Sequence, residues 1–528
     1  MLDTSRHYIP VHDILRTLRG MSFVKMNILH WHIVDAQSFP LDIGPFTHKI
    51  SSNGGAYSSS EIYNLKDITK IIEYARLNGI MIMPEIDTPG HVYCWRKGFP
   101  EVITCDGLEY QTTLTCPQPP CGFLDLKEKF NAATNVVKHI FEETIDAFKI
   151  GQIGYCTFLH LGFDEVTCKV NNKTKKCHKP GCNAAYKKYS EKYANWIYNV
   201  WYPKIKKHLP NFKLMQWIDQ ILHSNFDSKK YLDNPPIKFN SKNIVFQFWN
   251  TNEETPYQLQ VLQNFGVTFI QSDAKDYYLD CGQSSWLWGG KTISRNFLDK
   301  KANQFNGLFW CKALTNDSSK GYRVAWEDIY MKNPLTVTTL IEKNDIPEEE
   351  VENQSEKRLN KVILLKQTKS IGSKGGVLGA SANLWTEAVD KTILDSMLWP
   401  RLSAHSEALW RFNKNRPPDN LINARYRLAL HREDLIHLGI NAKAIIPQDG
   451  IFTKMPHGPI GSSTHPMTNI NIKQQYPQGT LFRYVCNSPW CTWCDGKSEN
   501  IFCPKGGNKF KCNSKKGDDY INQGCLSI

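Results

Sequence analysis

Two acids stand side by side at Asp164-Glu165, directly after a short apolar run at 157–161 and Gly162. An apolar run of that length between polar residues reads as a buried strand. Neighbouring side chains on an extended backbone point opposite ways. The pair would then present one carboxyl to a pocket and hold the other from behind, so that their proton affinities differ. That is an arrangement for general acid–base chemistry. Adjacent acids are also common on solvated surfaces, so the rest of the chain must decide.

Seven further runs have the character of strands, at 1–4, 26–34, 80–84, 213–216, 244–248, 268–271 and 376–380. Helical spacing of apolar residues separates them, at 11–21, 65–78, 126–148, 184–205 and 257–265, and follows the last at 393–409. Alternation of strands and helices implies a parallel sheet, and eight such units imply an α/β fold of the (β/α)8 TIM-barrel type. In such a barrel the chemistry sits just past the C-terminal ends of the strands. Those positions hold Arg6, Asp35, His91, Asp164 with Glu165, Trp217, Trp249, Tyr278 with Asp280, and Trp385 with Glu387. Acids, tryptophans, an arginine and a histidine suit a pocket for a polar, ring-shaped substrate.

Each residue has a plainer alternative. His91 could cap a helix or fill the core, Trp217 and Trp249 could be core, and Arg6 could form a surface salt bridge. His30 and His32 are read as packing and hydrogen-bonding residues, because no carboxylate at metal-ligand spacing accompanies them. No metal and no other cofactor is expected.

Composition bounds the class. The chain has 528 residues, 41% hydrophobic and 22% charged, as in a soluble globular protein. The net charge of +13 is dispersed without an arginine-rich stripe, which argues against a nucleic-acid site. No apolar run is long enough to span a membrane. Sixteen cysteines and sequons at Asn172, Asn316 and Asn353 point to the secretory pathway, extracellular or lysosomal. Met1-Leu2-Asp3-Thr4 leads directly into structured sequence with no signal peptide, and the expectation is that the N-terminal part of a longer secreted protein is absent. The expected organisation is a catalytic barrel over 1–448, with a long insertion at 282–375 that includes an acidic stretch, 345–356. A Gly/Pro/Ser/Thr-rich linker follows at 449–479. The tail, 480–528, carries Cys486, Cys491, Cys494, Cys503, Cys512 and Cys525 and reads as a disulfide-stapled module. The Cys491–Cys494 spacing could hold zinc, but a second pair and a histidine are lacking.

Six motifs carry a resemblance. They are Asp3-Thr4-Ser5-Arg6-His7-Tyr8, His30-Trp31-His32-Ile33-Val34-Asp35, Asp87-Thr88-Pro89-Gly90-His91, His160-Leu161-Gly162-Phe163-Asp164-Glu165, Leu384-Trp385-Thr386-Glu387 and Leu398-Trp399-Pro400-Arg401. In this order, over residues 1–445, the chain resembles the family 20 β-N-acetylhexosaminidases. The segment from Cys116 to Cys121 and Tyr278-Leu279-Asp280-Cys281 look most like the invertebrate branch acting on chitooligosaccharides and N-glycans.

The resemblance implies exo-acting, retaining hydrolysis of terminal β-linked N-acetylhexosamine, in which the substrate's own 2-acetamido oxygen is the nucleophile. It implies Glu165 as general acid and then base, and Asp164 as the group that orients and stabilises the acetamido nitrogen. Tyr278 would bond the acetamido oxygen, and Asp35 with His91 would tune Glu165. Trp217, Trp249 and Trp385 would wall the pocket, while Arg6, Asp280 and Glu387 would hold ring hydroxyls. Disulfides Cys116–Cys121, Cys281–Cys311 and Cys105–Cys168 are implied in the same way, and a homodimer is allowed for. Two features depart from the family. Phe163 stands where a second glycine is usual, and the N-terminal α+β domain is missing. Together they motivate a second expectation, a glycan-binding protein on the same barrel without turnover.

Overall fold

The structure is a computed structural model and describes residues 1–107, 120–165, 185–220, 243–249, 255–281, 324–342, 358–367, 375–412 and 421–445. Eight parallel strands form one curled sheet in chain order: β1 (Leu2–Asp3), β2 (Ile28–Val34), β3 (Met81–Thr88), β4 (Phe158–Gly162), β5 (Lys213–Trp217), β6 (Ile244–Phe248), β7 (Thr268–Gln271) and β8 (Gly376–Ala380). Leu2 bridges Leu384, just past β8, so the first strand also meets the chain leaving the last one. Seven of the expected strands agree to within two residues at either end.

β3 is the exception. It runs to Thr88 instead of stopping at Pro84, because proline at that position gives up only one ladder donor while Glu85 to Thr88 still pair with β2 and β4. Glu85 and Asp87 are therefore strand residues. The ladders slip by one residue on both sides of this stretch, between His32 and Val34 on β2 and between Glu85 and Thr88 on β3. Such bulges bend a strand and re-aim the side chains beyond them.

Helices cover the sheet through apolar stripes of period 3.6. The helix α1 (Val11–Phe23) buries Ile14, Leu18 and Met21. Asn64 caps α2 (Leu65–Leu77) by accepting from the Lys66 and Asp67 amides, while Asp67 returns a bond to the Asn64 amide at 3.2 Å. That satisfies amides a helix start leaves open, and Ile68, Ile71, Ile72 and Ala75 then face inward. The helix α3 (Phe130–Ala147) buries Val137, Ile140 and Phe141.

Where one helix was expected at 184–205, α4 (Ala185–Trp196) gives way to a wider π turn, Ile197–Trp201, and a short helix, Tyr202–His208. The expected 393–409 helix is also two, Leu394–Leu398 and Arg401–Arg411, because Pro400 breaks the pattern and restricts Trp399. Within 282–375, the strands Thr336–Glu342 and Arg358–Leu364 pair antiparallel. A second antiparallel pair is Ile103–Gly107 with Cys121–Leu124. The acidic stretch, the sequons, the linker and the cysteine-rich tail lie outside the described residues.

Contacts divide the chain into a unit of Met1–Pro418 with Leu438–Ala442 and a second unit whose main described element is the helix Leu421–His437. No helix among the described residues is long and apolar enough to cross a membrane.

Packing between α1 and the segment at Trp399 is tight at Gly20. A Cβ there would lie 2.5 Å from Cζ2 of the fully buried Trp399. Alanine normally favours a helix over glycine by about 1 kcal/mol. Overpacking a core costs about 1–3 kcal/mol, so Gly20→Ala is expected to lower the Tm, and an unchanged or raised Tm in a thermal-shift measurement would contradict this packing.

Candidate active site

The register places charged residues side by side on the strands. Asp3 of β1 pairs with His32 of β2, His32 with Glu85 of β3, and Glu85 with His160 of β4. All four are buried. Residues level with one another on neighbouring parallel strands share a face, so the interior carries a ring of charge instead of apolar side chains alone. His30 and His32 do hydrogen-bond, as read from the sequence, and only the absence of a carboxylate is corrected: Glu85, which the sequence keeps more than fifty positions away, accompanies them. His30 Nε2 bonds Glu85 Oε2 at 2.7 Å, and His32 Nδ1 lies 2.9 Å from the same oxygen.

Just past the strand ends, Asp35 is the hub. Its Oδ2 accepts from Arg6 at 2.7 Å and from His32 Nε2 at 2.9 Å. Its Oδ1 accepts from His91 Nδ1 at 3.1 Å. Burial alone would push Asp35 up, but the charges of Arg6 and His91 outweigh it and hold the carboxyl well below its usual range. Burial likewise works against the His91 cation, and Asp35 and Asp87 overcome it and raise His91 well above an ordinary histidine. Arg6 is buried and bonded to Asp3 as well, so it is no surface salt bridge.

Both acids of the central pair meet His91. Its Nε2 lies 3.5 Å from Glu165 Oε2 and 3.9 Å from Asp164 Oδ2. The expectation that the two carboxyls point to opposite sides is corrected. Gly162, Phe163 and Glu165 have φ of +74°, +72° and +48°, so the backbone is not extended and curls both acids toward one imidazole. Gly162 is required here, since a Cβ would fall 1.7 Å from Asp87 Oδ1. Phe163 is fully buried, its ring 5.4 Å from that of Tyr193. Tyr193 in turn donates to Thr88 Oγ1 at 2.9 Å. The Phe163 ring therefore packs behind the strand end and does not crowd the acids.

Aromatic residues converge from the other strands. The Trp385 ring lies 6.1 Å from Trp217, 6.0 Å from Tyr278 and 5.0 Å from His32, with the Arg6 guanidinium 5.0 Å above it. Trp217 Nε1 donates to Glu85 Oε1, and Trp249 Nε1 donates to Asp219 Oδ2 at 2.7 Å. Asp219 also accepts from the Glu165 amide at 3.3 Å. Asp280 accepts from the Trp385 amide at 3.3 Å.

Among these walls carboxyls hold their protons. Burial raises Asp164 to about 7 and Asp219 to about 6. Burial, then the nearby charge of Glu387, raises Asp280 to about 8. All eleven residues expected at the site thus lie at the same end of the sheet. Sequence reasoning missed Glu85, Asp87 and Asp219. Asp219 sits two residues past a strand end and was within reach of the same positional rule, whereas the roles of Glu85 and Asp87 depend on the length of β3. Cys121 and Cys281 are disulfide-bonded. Cys116, Cys168, Cys311 and the Cys105 side chain lie outside the described residues.

An acid whose folded value is raised binds a proton that the unfolded chain has released. Stability from such a group therefore falls as pH rises from its ordinary value of 3.8 to its folded value, about 7 for Asp164 and about 8 for Asp280. Asp280→Asn is expected to shrink the fall in Tm between about pH 5 and about pH 8 by about 2 °C relative to the parent protein. Parallel Tm–pH curves would show that Asp280 is ionised throughout.

Residues 1–413 match the glycosyl hydrolase family 20 catalytic domain. Beta-hexosaminidase 1 of Coccidioides posadasii is 28% identical over 475 residues, 87% of this chain and 67% of that protein. A probable beta-hexosaminidase of Drosophila melanogaster is 29% identical over 461 residues, 85% of this chain and 56% of that one. The beta subunit of Mus musculus beta-hexosaminidase is 29% identical, covering 84% of this chain and 64% of its own. The chain thus spans between 56% and 67% of the length of these relatives. Among solved structures, the family 20 β-N-acetylhexosaminidase of Streptomyces coelicolor superposes with a TM-score of 0.52 at 20% identity, over 85% of this chain and 70% of that one. That likeness speaks to the fold.

Proposed function

We propose that this chain, which belongs to glycosyl hydrolase family 20, removes terminal non-reducing β-linked N-acetylglucosamine or N-acetylgalactosamine from glycans or chitooligosaccharides. The observation that carries the proposal is the series of contacts from Asp35, bonded to His91, to Glu165 at 3.5 Å from that imidazole, with Asp164 beside it.

The sugar's acetamido group sits against Trp217, Trp385 and Tyr278. Its carbonyl oxygen attacks C1 of its own ring while the Glu165 carboxyl protonates the departing glycosidic oxygen. The C1–O bond breaks and an oxazolinium ion forms. Asp164, ionised before the step with its proton released to water, accepts a hydrogen bond from the acetamido N–H and stabilises the positive charge developing there. Water then attacks C1, Glu165 takes its proton, and the acetamide is regenerated with the original anomeric configuration. His91, cationic and held by Asp35, steadies the Glu165 carboxylate between the two steps. Arg6, Asp280 and Glu387 bind ring hydroxyls, and Trp249 completes the wall.

The second expectation, binding without turnover, rested partly on Phe163. The packing of that ring on Tyr193 removes this support. The curled sheet is read as a closed (β/α)8 barrel. The tail at 480–528 is read as a separate disulfide-stapled module, and the protein as a secretory-pathway one. Disulfides at Cys121 and Cys281 support the last point.

The test is release of chromophore from paired aryl N-acetylglucosaminide and N-acetylgalactosaminide. Glu165→Gln is expected to lower kcat by about 10²–10⁴-fold with KM little changed. Absence of turnover by the folded parent protein from acidic to neutral pH, on both substrates, would sink the proposal. Phe163→Ala is expected to cost about 3–5 kcal/mol of stability without raising kcat. A gain in kcat would instead restore the binding-protein reading.

A further inference from the structure

Glu85 lies within β3 with no solvent exposure, yet four nitrogen atoms converge on it. Oε2 accepts from His30 Nε2 at 2.7 Å and faces His32 Nδ1 at 2.9 Å. Oε1 accepts from Trp217 Nε1 at 2.9 Å and faces His160 Nδ1 at 3.1 Å. Glu85, His32 and His160 have no solvent exposure. Leaving a carboxylate in such a place without partners would cost several kcal/mol. Both Glu85 oxygens are occupied by N–H groups, so the cluster reads as an ion network.

Two of the partners lead to the site. His32 stands between two carboxylates, with Nδ1 toward Glu85 and Nε2 bonded to Asp35. Asp35 bonds His91, and His91 faces Glu165. Acid and imidazole thus alternate over five residues: Glu85, His32, Asp35, His91, Glu165. The other partner is the Trp217 indole, whose ring stands next to Trp385. One buried carboxylate therefore fixes both the far end of the acid–base series and a wall of the pocket.

We propose that Glu85 is a positioning residue for the hydrolytic reaction, acting on Glu165 through His32 and Asp35 and on the sugar-binding wall through Trp217. This rests on the hydrolase reading above. The electrostatics agree. Burial works against charge on both Glu85 and His32. The charges of His160 and His32 outweigh it and hold Glu85 well below the ordinary carboxylate range, and Glu85 in turn is the foremost group raising His32. His30 stays neutral, lowered to about 3 by burial and by His160.

Other titratable groups among the described residues also feel Glu85. Asp87 on the same strand is pushed up by burial and then by Asp164. The Met1 amine at β1 feels Glu85 but is lowered to about 5, chiefly by burial. Asp164 also feels Glu85, which adds to its elevation. Removing the Glu85 charge should then let His32 lose its proton at lower pH. It should weaken the grip on Asp35, and with it the cationic form of His91.

The experiment is Glu85→Gln in the full chain, assayed by pH profiles of kcat and kcat/KM on the aryl N-acetylglucosaminide. The alkaline limb of kcat is expected to move about one unit toward acid, with KM raised about threefold or more as Trp217 loses its anchor. Glu85→Asp is expected to restore the limb in part. Trp217→Phe, which removes the indole donor to Glu85 together with part of the pocket wall, should raise KM and leave the limb in place, while His32→Gln should move the limb. These two single-arm variants decide the matter if Glu85→Gln does not fold. A folded Glu85→Gln with the parent's pH profile overturns the proposal, since a merely structural loss would scale kcat without moving the limb. If the parent protein turns nothing over, the hydrolase reading fails on its own. The ¹⁵N titration of the imidazoles then tests the remaining claim, and a His32 titration unchanged in Glu85→Gln overturns it.

Discussion

A carboxylate with no access to water must be paired, and Asp35 is paired three ways. Arg6 and His32 share one oxygen, and His91 takes the other. Three donors from three separate segments meet on one side chain, so none of the three can shift without exposing an unpaired buried charge. Breaking such a pair costs more than its formation gains. That asymmetry makes Asp35 a fixed point for the strand ends around it. Glu165 inherits its position from this point through a single imidazole. Asp164 shares that imidazole, so the two acids are set relative to each other by His91 as much as by their adjacency in the chain.

The backbone is bent to suit. Ladder slips at β2 and β3 come directly after the His32–Glu85 pair and redirect the residues beyond. Four residues at the strand ends take left-handed φ, among them His91, Phe163 and Glu165, which carry Cβ atoms and adopt it at a cost. Burial of Phe163 against Tyr193 and the Phe163 amide bond to Thr88 oppose that strain. A site held this way is stiff before any sugar arrives, which is what preorganised charge requires.

The same end of the sheet holds acids in opposite states. Asp35 and Glu85 are kept charged by cations, while Asp87, Asp164, Asp219 and Asp280 are pushed up by burial among aromatic walls. The difference lies in partners and not in residue type. A carboxyl ringed by cations, as Asp35 and Glu85 are, is held charged, and one whose burial outweighs its favourable contacts is pushed up.

Much of this was legible in the chain. Apolar runs separated by period-3.6 stretches determined the parallel α/β sheet, and strands at 244–248, 268–271 and 376–380 came out residue for residue, because short buried strands bounded by turns leave little latitude. The rule that chemistry follows strand ends was enough to collect Arg6, Asp35, His91, Asp164, Glu165 and the tryptophans. What it could not supply was register. Whether Glu85 lay after a strand or inside one decided if it met water or three histidines, and a local pattern broken by Pro84 could not say. Nor could adjacency fix the direction of Asp164 and Glu165, since that depends on φ at Gly162, Phe163 and Glu165, which contacts with Asp87, Thr88 and Tyr193 impose. Residue types and their order were written in the sequence. Which charges face one another was decided only when the strands were laid side by side, because pairing across a sheet joins residues that the chain keeps far apart.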